Sequence, residues 1–166
     1  ISLHDAPAER LAEADVPVLV EAAEDEARLA ASAELIGVMD VALATTGAYI
    51  RTRRQFGVPI GSFQALQHRM VDLWIQHRLA KAALNRAVAA FDGPMQDRAI
   101  AVSAAKARAS DAGILVGRQA IQLHGGMGYT DECDIGLCLK RALVLAAFLG
   151  NGTAQRRRYA GLAFAA

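Results

Sequence analysis

Proline, cysteine and aromatic residues are scarce in this chain of 166 residues. Strands are rich in aromatic residues and the turns between them are rich in proline. With only 4 prolines and 5% aromatic residues, the chain does not have the composition of a sheet domain. The two cysteines, Cys133 and Cys138, are too few for a disulfide framework and are expected to be reduced thiols. Basic and acidic residues number 18 and 17, so the net charge of +1 creates no field that would attract nucleic acid.

Long uncharged apolar runs and targeting signals are also missing. No run of roughly 18 apolar residues is free of charge, so no membrane span is expected. The first residues include His4, Asp5 and Glu9 instead of a basic region followed by an apolar one. We therefore expect no signal peptide and a cytoplasmic location. The two cysteines have no further metal ligands near them in the sequence, and no metal site is predicted.

Alanine is abundant, within a hydrophobic content of 54%. Alanine is the strongest helix former, and its small side chain lets helices approach closely. Apolar residues recur at three- and four-residue steps, which predicts helices over about 18–53, 63–91, 95–123 and 135–149. A short basic helix is expected from residue 153. Because the connections are short, the predicted fold is all-α, an antiparallel four-helix up-down bundle with a short extra C-terminal helix.

The first two predicted helices carry specific expectations. In the first helix, Glu24, Asp25 and Glu26 are expected near the N-terminal end, where acidic residues complement the helix dipole. In the second, one side is expected to be buried, and that side consists of Leu66, Met70, Leu73, Trp74, Leu84 and Val88.

Three motifs are more specific than a helical pattern. The first is RTRRQFGVPI at residues 51–60, followed by FQALQH at 63–68. The second is QAIQLHGGMGY at 119–129, and the third is GNGT at 150–153. In order and spacing they resemble the C-terminal helical domain of the acyl-CoA dehydrogenase family, over roughly residues 18–164. The run at 140–151 looks more like the small subunits of pimeloyl-CoA- or steroid-side-chain-type enzymes.

The resemblance implies a domain organisation and an activity. Residues 1–18 are expected to be a linker or the remnant of a preceding β domain, and 19–166 the helical domain. Family members bind FAD across a subunit boundary, so FAD and a homo- or hetero-oligomer are implied. A glutamate removes the α-proton of an acyl-CoA while a hydride leaves Cβ for the flavin. Electrons then pass to an electron-transferring flavoprotein or a similar acceptor.

The resemblance also assigns cofactor contacts to individual residues. Arg53 matches an arginine that contacts the FAD pyrophosphate, for which a forked guanidinium is well suited. Its alternative role is that of an ordinary cation at a helix C-terminus. Gly125 and Gly126 match the segment that receives the adenosine end, where glycine lets a ligand approach the backbone, or else they only end a helix. The other matched positions are Gln55, Phe56, Gln64, Gln122, Thr153 and Gln155, with Phe56 alternatively a core residue.

The residue that departs from the family pattern is the base. Many members carry a glutamate immediately before the glycine-threonine pair of the third motif, and here that position is Asn151. A primary amide has no useful basicity near neutral pH. Other members carry the glutamate on the first long helix, where this chain has Ala27. Glu26 is one residue away, but one step turns a helical side chain by about 100°.

Three functions remain open from the sequence. In the first, the chain is the C-terminal domain of a dehydrogenase subunit, active or supporting, that shares FAD across an interface and is expected to lack its own base. Alternatively, it is a non-catalytic oligomerisation or partner subunit of a heteromeric dehydrogenase. Chemistry of the acyl-CoA oxidase or nitroalkane oxidase kind on the same scaffold is a third alternative.

Overall fold

Five helices follow one another in the computed structural model, which describes residues 4–7, 9 and 16–164. They are α1 (Val16–Thr52), α2 (Gln64–Ala89), α3 (Met95–His124), α4 (Ile135–Ala147) and α5 (Gly152–Ala163). Two-residue strands β1 (Arg54–Gln55) and β2 (Val58–Pro59) form an antiparallel hairpin after α1. Short 3-10 helices span Ile60–Ser62 and Gly125–Tyr129. The predicted all-α fold is confirmed. Of the predicted linker, residues 1–3, 8 and 10–15 lie outside the described residues.

Helix α3 is the centre of the bundle. It packs against α1, α2, α4 and α5, and most of its residues from Ala99 to His124 are buried. These buried residues are largely alanine, serine and glycine, whose small size brings the neighbouring backbones close. At Gly117 an added Cβ would lie 3.1 Å from the Leu139 Cα of α4. The absence of a side chain at this position therefore sets the distance between α3 and α4.

The apolar steps of α1 fall on its buried side, whereas the buried side predicted for α2 is only partly correct. Leu35, Met39 and Leu73 are buried, as the three- and four-residue steps indicate. On α2, however, Trp74 is 54% exposed and Val88 is 56% exposed, so the prediction is wrong for these two residues. Successive residues on a helix point about 100° apart, so Trp74 cannot share the inward direction of Leu73.

The acidic residues predicted for the first turn of α1 lie deeper in the helix. The helix begins at Val16, about two turns before Glu24, so the prediction of a dipole-complementing first turn is wrong. Pro17 in the first turn is compatible with the earlier start, because a residue there needs no N–H donor for the helix. Residues 16–18 of the predicted linker therefore belong to α1.

A buried carboxylate connects three helices. Asp25 of α1 is 0% exposed and accepts a hydrogen bond from Arg28 at 3.0 Å. The Arg158 guanidinium of α5 lies 2.8 Å from the same carboxylate and donates to Ser103 Oγ of α3 at 2.7 Å. Removing one partner from such a cluster leaves a buried charge uncompensated, which is strongly destabilising. The short fifth helix is therefore held to the bundle by charge as well as by packing.

Two stretches are long and apolar enough to be candidate membrane spans by length and composition, Val16–Thr52 and Ile135–Ala163. This is weak support for a span, because the core helix of a bundle passes the same test. The second stretch is divided by the turn between α4 and α5, where Phe148 has extended backbone. The first is α1, whose inward side packs on α3.

The close packing of α3 on α4 is testable with two glycine substitutions. Gly117→Ala is expected to lower the free energy of unfolding, because overpacking costs about 1–3 kcal/mol. That cost exceeds the helix-propensity gain of about 1 kcal/mol. Gly37→Ala on α1 is the matched control, since an added Cβ there meets no atom within 4 Å. It should raise stability in the same urea titration. Equal stabilisation by both variants would contradict the close approach of α3 and α4.

Candidate functional site

The first motif forms the end of α1 and the hairpin that follows. Arg53 comes directly after α1, and its N–H donates to Tyr49 O at 2.8 Å. Its carbonyl accepts from Ile60 N at 2.8 Å, which closes the base of the hairpin. Phe56 and Gly57 at the tip have φ of 53° and 80°, the positive values that a two-residue hairpin turn requires. The hairpin therefore fixes the backbone of Arg53 beside the end of α3.

A surface cavity of about 580 Å³ lies between this hairpin and the end of α3. Within residues 16–164, neither Arg53 nor Arg69 of α2 makes a salt bridge, and no Asp or Glu lines the cavity. Two guanidinium groups without a carboxylate partner favour an anionic ligand, above all one with phosphate oxygens. The lining residues are Tyr49, Arg53, Gln55, Ile60, Leu66, Arg69, Gln122, Leu123, His124, Gly125, Gly126 and Met127.

The glycine pair after α3 forms an open wall of this cavity. Gly125 has φ 60° and ψ −138°, a conformation that side chains disfavour. An added Cβ at Gly125 or Gly126 meets no atom within 4 Å, so both residues border free space. The N–H of Gly125 also donates to Gln122 O and ends the helix. The pair therefore both ends α3 and leaves backbone accessible to a ligand.

His124 supports the cavity from below and is part of the core. Its side chain is buried, and Nδ1 lies 2.8 Å from Ala120 O, which places the proton on Nδ1. The Tyr49 ring stacks on the imidazole with centroids 4.4 Å apart, and its hydroxyl donates to His124 O at 3.2 Å. His124 is therefore a satisfied buried histidine that joins α1 to α3.

The structure brings five of the predicted cofactor residues together around this cavity: Arg53, Gln55, Gln122, Gly125 and Gly126. Sequence reasoning missed Tyr49 and Arg69. Tyr49 lies four residues before Arg53, so helical spacing could have placed it on the same side of α1. Arg69 lacked any such signal, because it enters the cavity through the packing of α2 against α3.

The other predicted cofactor residues lie elsewhere. Phe56 at the hairpin tip is 91% exposed, which excludes its alternative role in the core. Gln64 is the exposed first residue of α2. Thr153 and Gln155 belong to α5, where the buried Gln155 donates from Nε2 to Leu149 O at 2.6 Å. None of these four lines the cavity, so a contact with FAD at these positions stays a prediction.

Asn151, at the usual base position, has a defined structural role. It is the N-cap of α5, and its Oδ1 accepts a hydrogen bond from Ala154 N at 3.0 Å. Asparagine is among the best N-cap residues, because its short side chain reaches back to the unpaired amides of the first turn. Asn151 therefore stabilises the start of α5 and offers no base.

Ala27, the second position at which the family resemblance predicts a base, borders an apolar groove of about 380 Å³ between α1 and α4. Ala27, Ala30, Ala31, Val144, Leu145 and Phe148 line it, and a Glu34–Arg141 ion pair completes its wall. The adjacent guanidinium lowers the pKa of Glu34, so that carboxyl stays ionised and is a poor proton acceptor. Glu26 is exposed and outside the groove. A carboxylate borne by residue 27 would reach this groove, whereas the alanine present supplies only a methyl group.

The geometry thus defines a helical domain with an arginine-lined cavity at one end of its central helix. Residues 18–161 match the family model described as "Acyl-CoA dehydrogenase, C-terminal domain", and the chain belongs to this family.

Individual relatives agree with this assignment. Acyl-CoA dehydrogenase IpdE2 of Mycolicibacterium smegmatis is 43% identical over 136 residues, covering 81% of this chain and 41% of that protein. The "Tcur3481-Tcur3483 steroid ACAD G363A variant" superposes with a TM-score of 0.85 at 32% identity, covering 90% of this chain and 41% of its own. A chain of the ChsE4-ChsE5 complex from Mycobacterium tuberculosis superposes with a TM-score of 0.81 at 31% sequence identity. The match covers 90% of this chain and 40% of that chain. The chain therefore spans less than half the length of these relatives.

The capping role of Asn151 leads to a direct prediction. Asn151→Ala should lower the free energy of unfolding by about 1 kcal/mol, because it leaves an amide of the first turn of α5 without its acceptor. Asn151→Asp keeps a capping oxygen and serves as the control, with stability close to that of the wild type. Thermal unfolding measures both. If Asn151→Ala unfolds at the wild-type temperature, the cap does not stabilise α5.

Proposed function

We propose that the full-length protein is a subunit of an FAD-dependent acyl-CoA dehydrogenase, and that this domain binds FAD without supplying the catalytic base. The cavity at the ends of α1 and α3 is the observation that carries this proposal. It combines the guanidinium groups of Arg53 and Arg69 with the open glycine backbone at 125–126. These are the groups that bind diphosphate oxygens in proteins.

The residues present fit the cofactor in distinct ways. Arg53 and Arg69 would hold the diphosphate, and Gln122 and the backbone at Gly125 and Gly126 would receive the adenosine end. When bound, FAD supplies the acceptor for the hydride that leaves the substrate Cβ. Because a domain of this kind offers only one side of the site, we expect the isolated chain to bind FAD weakly. The rest of the site would come from another domain or subunit of a homo- or hetero-oligomer.

The proton-abstracting base is proposed to lie on a second, paralogous subunit. The Asn151 side chain caps α5, Ala27 carries no acid, and the exposed Glu26 lies outside the groove that Ala27 borders. A primary amide and a methyl group accept no proton from a carbon acid. The ChsE4-ChsE5 relative is named as a complex of two polypeptides, which supports a heteromeric arrangement.

The substrate class follows from the groove and from one relative. Alanine at positions 27, 30 and 31 leaves room for a broad apolar group between α1 and α4. One similar structure is named as a steroid ACAD. We therefore propose an acyl-CoA with a bulky, steroid-derived acyl group, whose electrons pass to an electron-transferring flavoprotein or a similar acceptor.

A non-catalytic partner subunit is the second candidate function. The capping role of Asn151 favours it, because that position is committed to the fold and not to chemistry. The two candidates differ in one observable property. If this subunit takes part in catalysis, disabling its FAD cavity reduces the bleaching of flavin by acyl-CoA in the complex. If it is a purely structural partner, the same change leaves flavin reduction unaffected.

FAD affinity of the full-length apoprotein tests the cavity. Arg53→Ala should weaken FAD binding about 10- to 100-fold, because a hydrogen bond to a charged group contributes about 1.5–3 kcal/mol. Arg51→Ala is the matched control: it removes the same charge two residues away, from a side chain that does not line the cavity. Quenching of FAD fluorescence gives both affinities. Equal affinities for the two variants would refute the diphosphate role of Arg53.

Flavin bleaching by acyl-CoA tests the missing base. The full-length protein alone should bleach about 10²–10⁴ times more slowly than its complex with a glutamate-bearing partner, which is the usual effect of a positioned base. Asn151→Glu and Ala27→Glu, made separately, test whether either position can restore the base. Glu26→Gln is the control and should change nothing. Rapid bleaching by the unaltered protein alone, lost in Glu26→Gln, would make Glu26 the base and overturn this account.

A further inference from the structure

The turn between α4 and α5 has an unfavourable backbone. Leu149 and Gly150 have φ of 51° and 97°, and a leucine in this region is strained. Phe148, at the start of the turn, lines the apolar groove beside Ala27, and Asn151 ends the turn as the cap of α5. Such a turn persists only where its surroundings hold it, so the groups that bind it position both Phe148 and Asn151.

Two buried side chains bind the carbonyl groups of this turn. Lys106 of α3 is 0% exposed, and its Nζ donates to Ser110 Oγ at 3.0 Å, Ala146 O at 3.2 Å and Gly150 O at 3.4 Å. Leu149 O, the carbonyl immediately before Gly150, accepts a hydrogen bond from Nε2 of the buried Gln155 of α5. An ammonium group has three N–H donors, and here each has an oxygen acceptor. Lys106 thus joins the centre of α3 to the turn.

No carboxylate neutralises this ammonium group within residues 16–164. Burial, followed by the positive charge of Arg28 on α1, lowers the pKa of Lys106 from 10.5 to about 8. Arg28 is itself paired with Asp25 and Glu24, and Asp25 also binds Arg158 of α5. The described charged residues of α2 and α4 add no shift to this pKa. Nothing on the neighbouring helices therefore compensates the buried charge.

We propose that Lys106 is a positioning residue, which holds the α4–α5 turn so that Phe148 forms the end of the substrate groove. The use of that groove for an acyl group rests on the proposed function, whereas the stabilisation of the turn by the hydrogen bonds of Lys106 does not. Lys106 precedes Gly125 by 19 residues along α3 (125 minus 106), or roughly 28 Å at 1.5 Å per residue, so it lies far from the Arg53 cavity. Its loss should therefore affect the groove and leave FAD affinity unchanged.

The protonation of Lys106 gives the hold a characteristic pH dependence. Opening the turn hydrates the amine and returns its pKa towards 10.5, so the open turn binds more protons than the closed turn above about pH 8. Raising the pH from 8 towards 10.5 therefore favours the closed turn. A side chain without a titratable group, such as methionine, would give no such dependence.

Hydrogen exchange of the full-length complex tests the hold directly, through the amides of Gly150 and Ala154, which bond to Ala147 O and Asn151 Oδ1. In Lys106→Met their protection should fall on the order of 10-fold at pH 7, as the loss of a hydrogen bond from a charged donor predicts. Val102→Ala is the control, since Val102 is fully buried one turn earlier on α3. It should leave the turn amides unchanged.

The pH arm and the activity arm complete the experiment. In the wild type, the protection of the Gly150 and Ala154 amides from hydrogen exchange, corrected for the intrinsic exchange rate, should rise between pH 8 and about 9.5. In Lys106→Met the same protection should not change with pH. The half-saturating acyl-CoA concentration for flavin bleaching should rise in Lys106→Met, with FAD affinity unchanged. The proposal is overturned if the turn amides are as well protected from exchange in Lys106→Met as in the wild type. If that variant does not fold, protection of the turn amides that does not change with pH in the wild type overturns it. Absence of bleaching in the wild-type complex instead counts against the proposed function alone.

Discussion

The close packing of small side chains on α3 is the constraint on which the rest of the structure depends. Gly113 and Gly117 let α1 and α4 approach so closely that a Cβ would meet Leu35 Cδ2 at 2.8 Å and Leu139 Cα at 3.1 Å. This approach brings the end of α1, with Arg53, beside the end of α3. It also brings the α4–α5 turn within reach of Lys106. Both candidate functional regions are therefore built on one central helix.

Helix periods and short connections were enough to predict the fold, because apolar residues at three- and four-residue steps mark the side of a helix that packs on its neighbours. What they could not predict is which polar residues are buried. The sequence pattern predicts Asp25 near the start of α1, where it would complement the helix dipole, but Asp25 is buried and its partner Arg158 comes from the far end of the chain. The carbonyls that accept from Lys106 lie 40 and 44 residues away. Local patterns carry no signal for such partners.

In the candidate site, too, some residues could be predicted from local motifs and others only from the folded structure. Arg53, Gln55, Gln122 and the glycine pair could be predicted because two contiguous motifs carry them, and the fold brings those motifs together. Arg69 enters only through the packing of α2. The departure of Asn151 from the family pattern was visible in the sequence, but its role as the cap of α5 required the structure. The position at which the family resemblance predicts a base is occupied in this chain by a helix-capping asparagine.

We propose that this domain contributes the diphosphate-binding side of an FAD site. A crystal structure of the full-length protein with FAD is the decisive measurement. We expect the diphosphate against Arg53 and Arg69, with the adenosine end along the backbone at Gly125 and Gly126. FAD bound with its diphosphate away from this cavity, and with Arg53 turned to solvent, would contradict it.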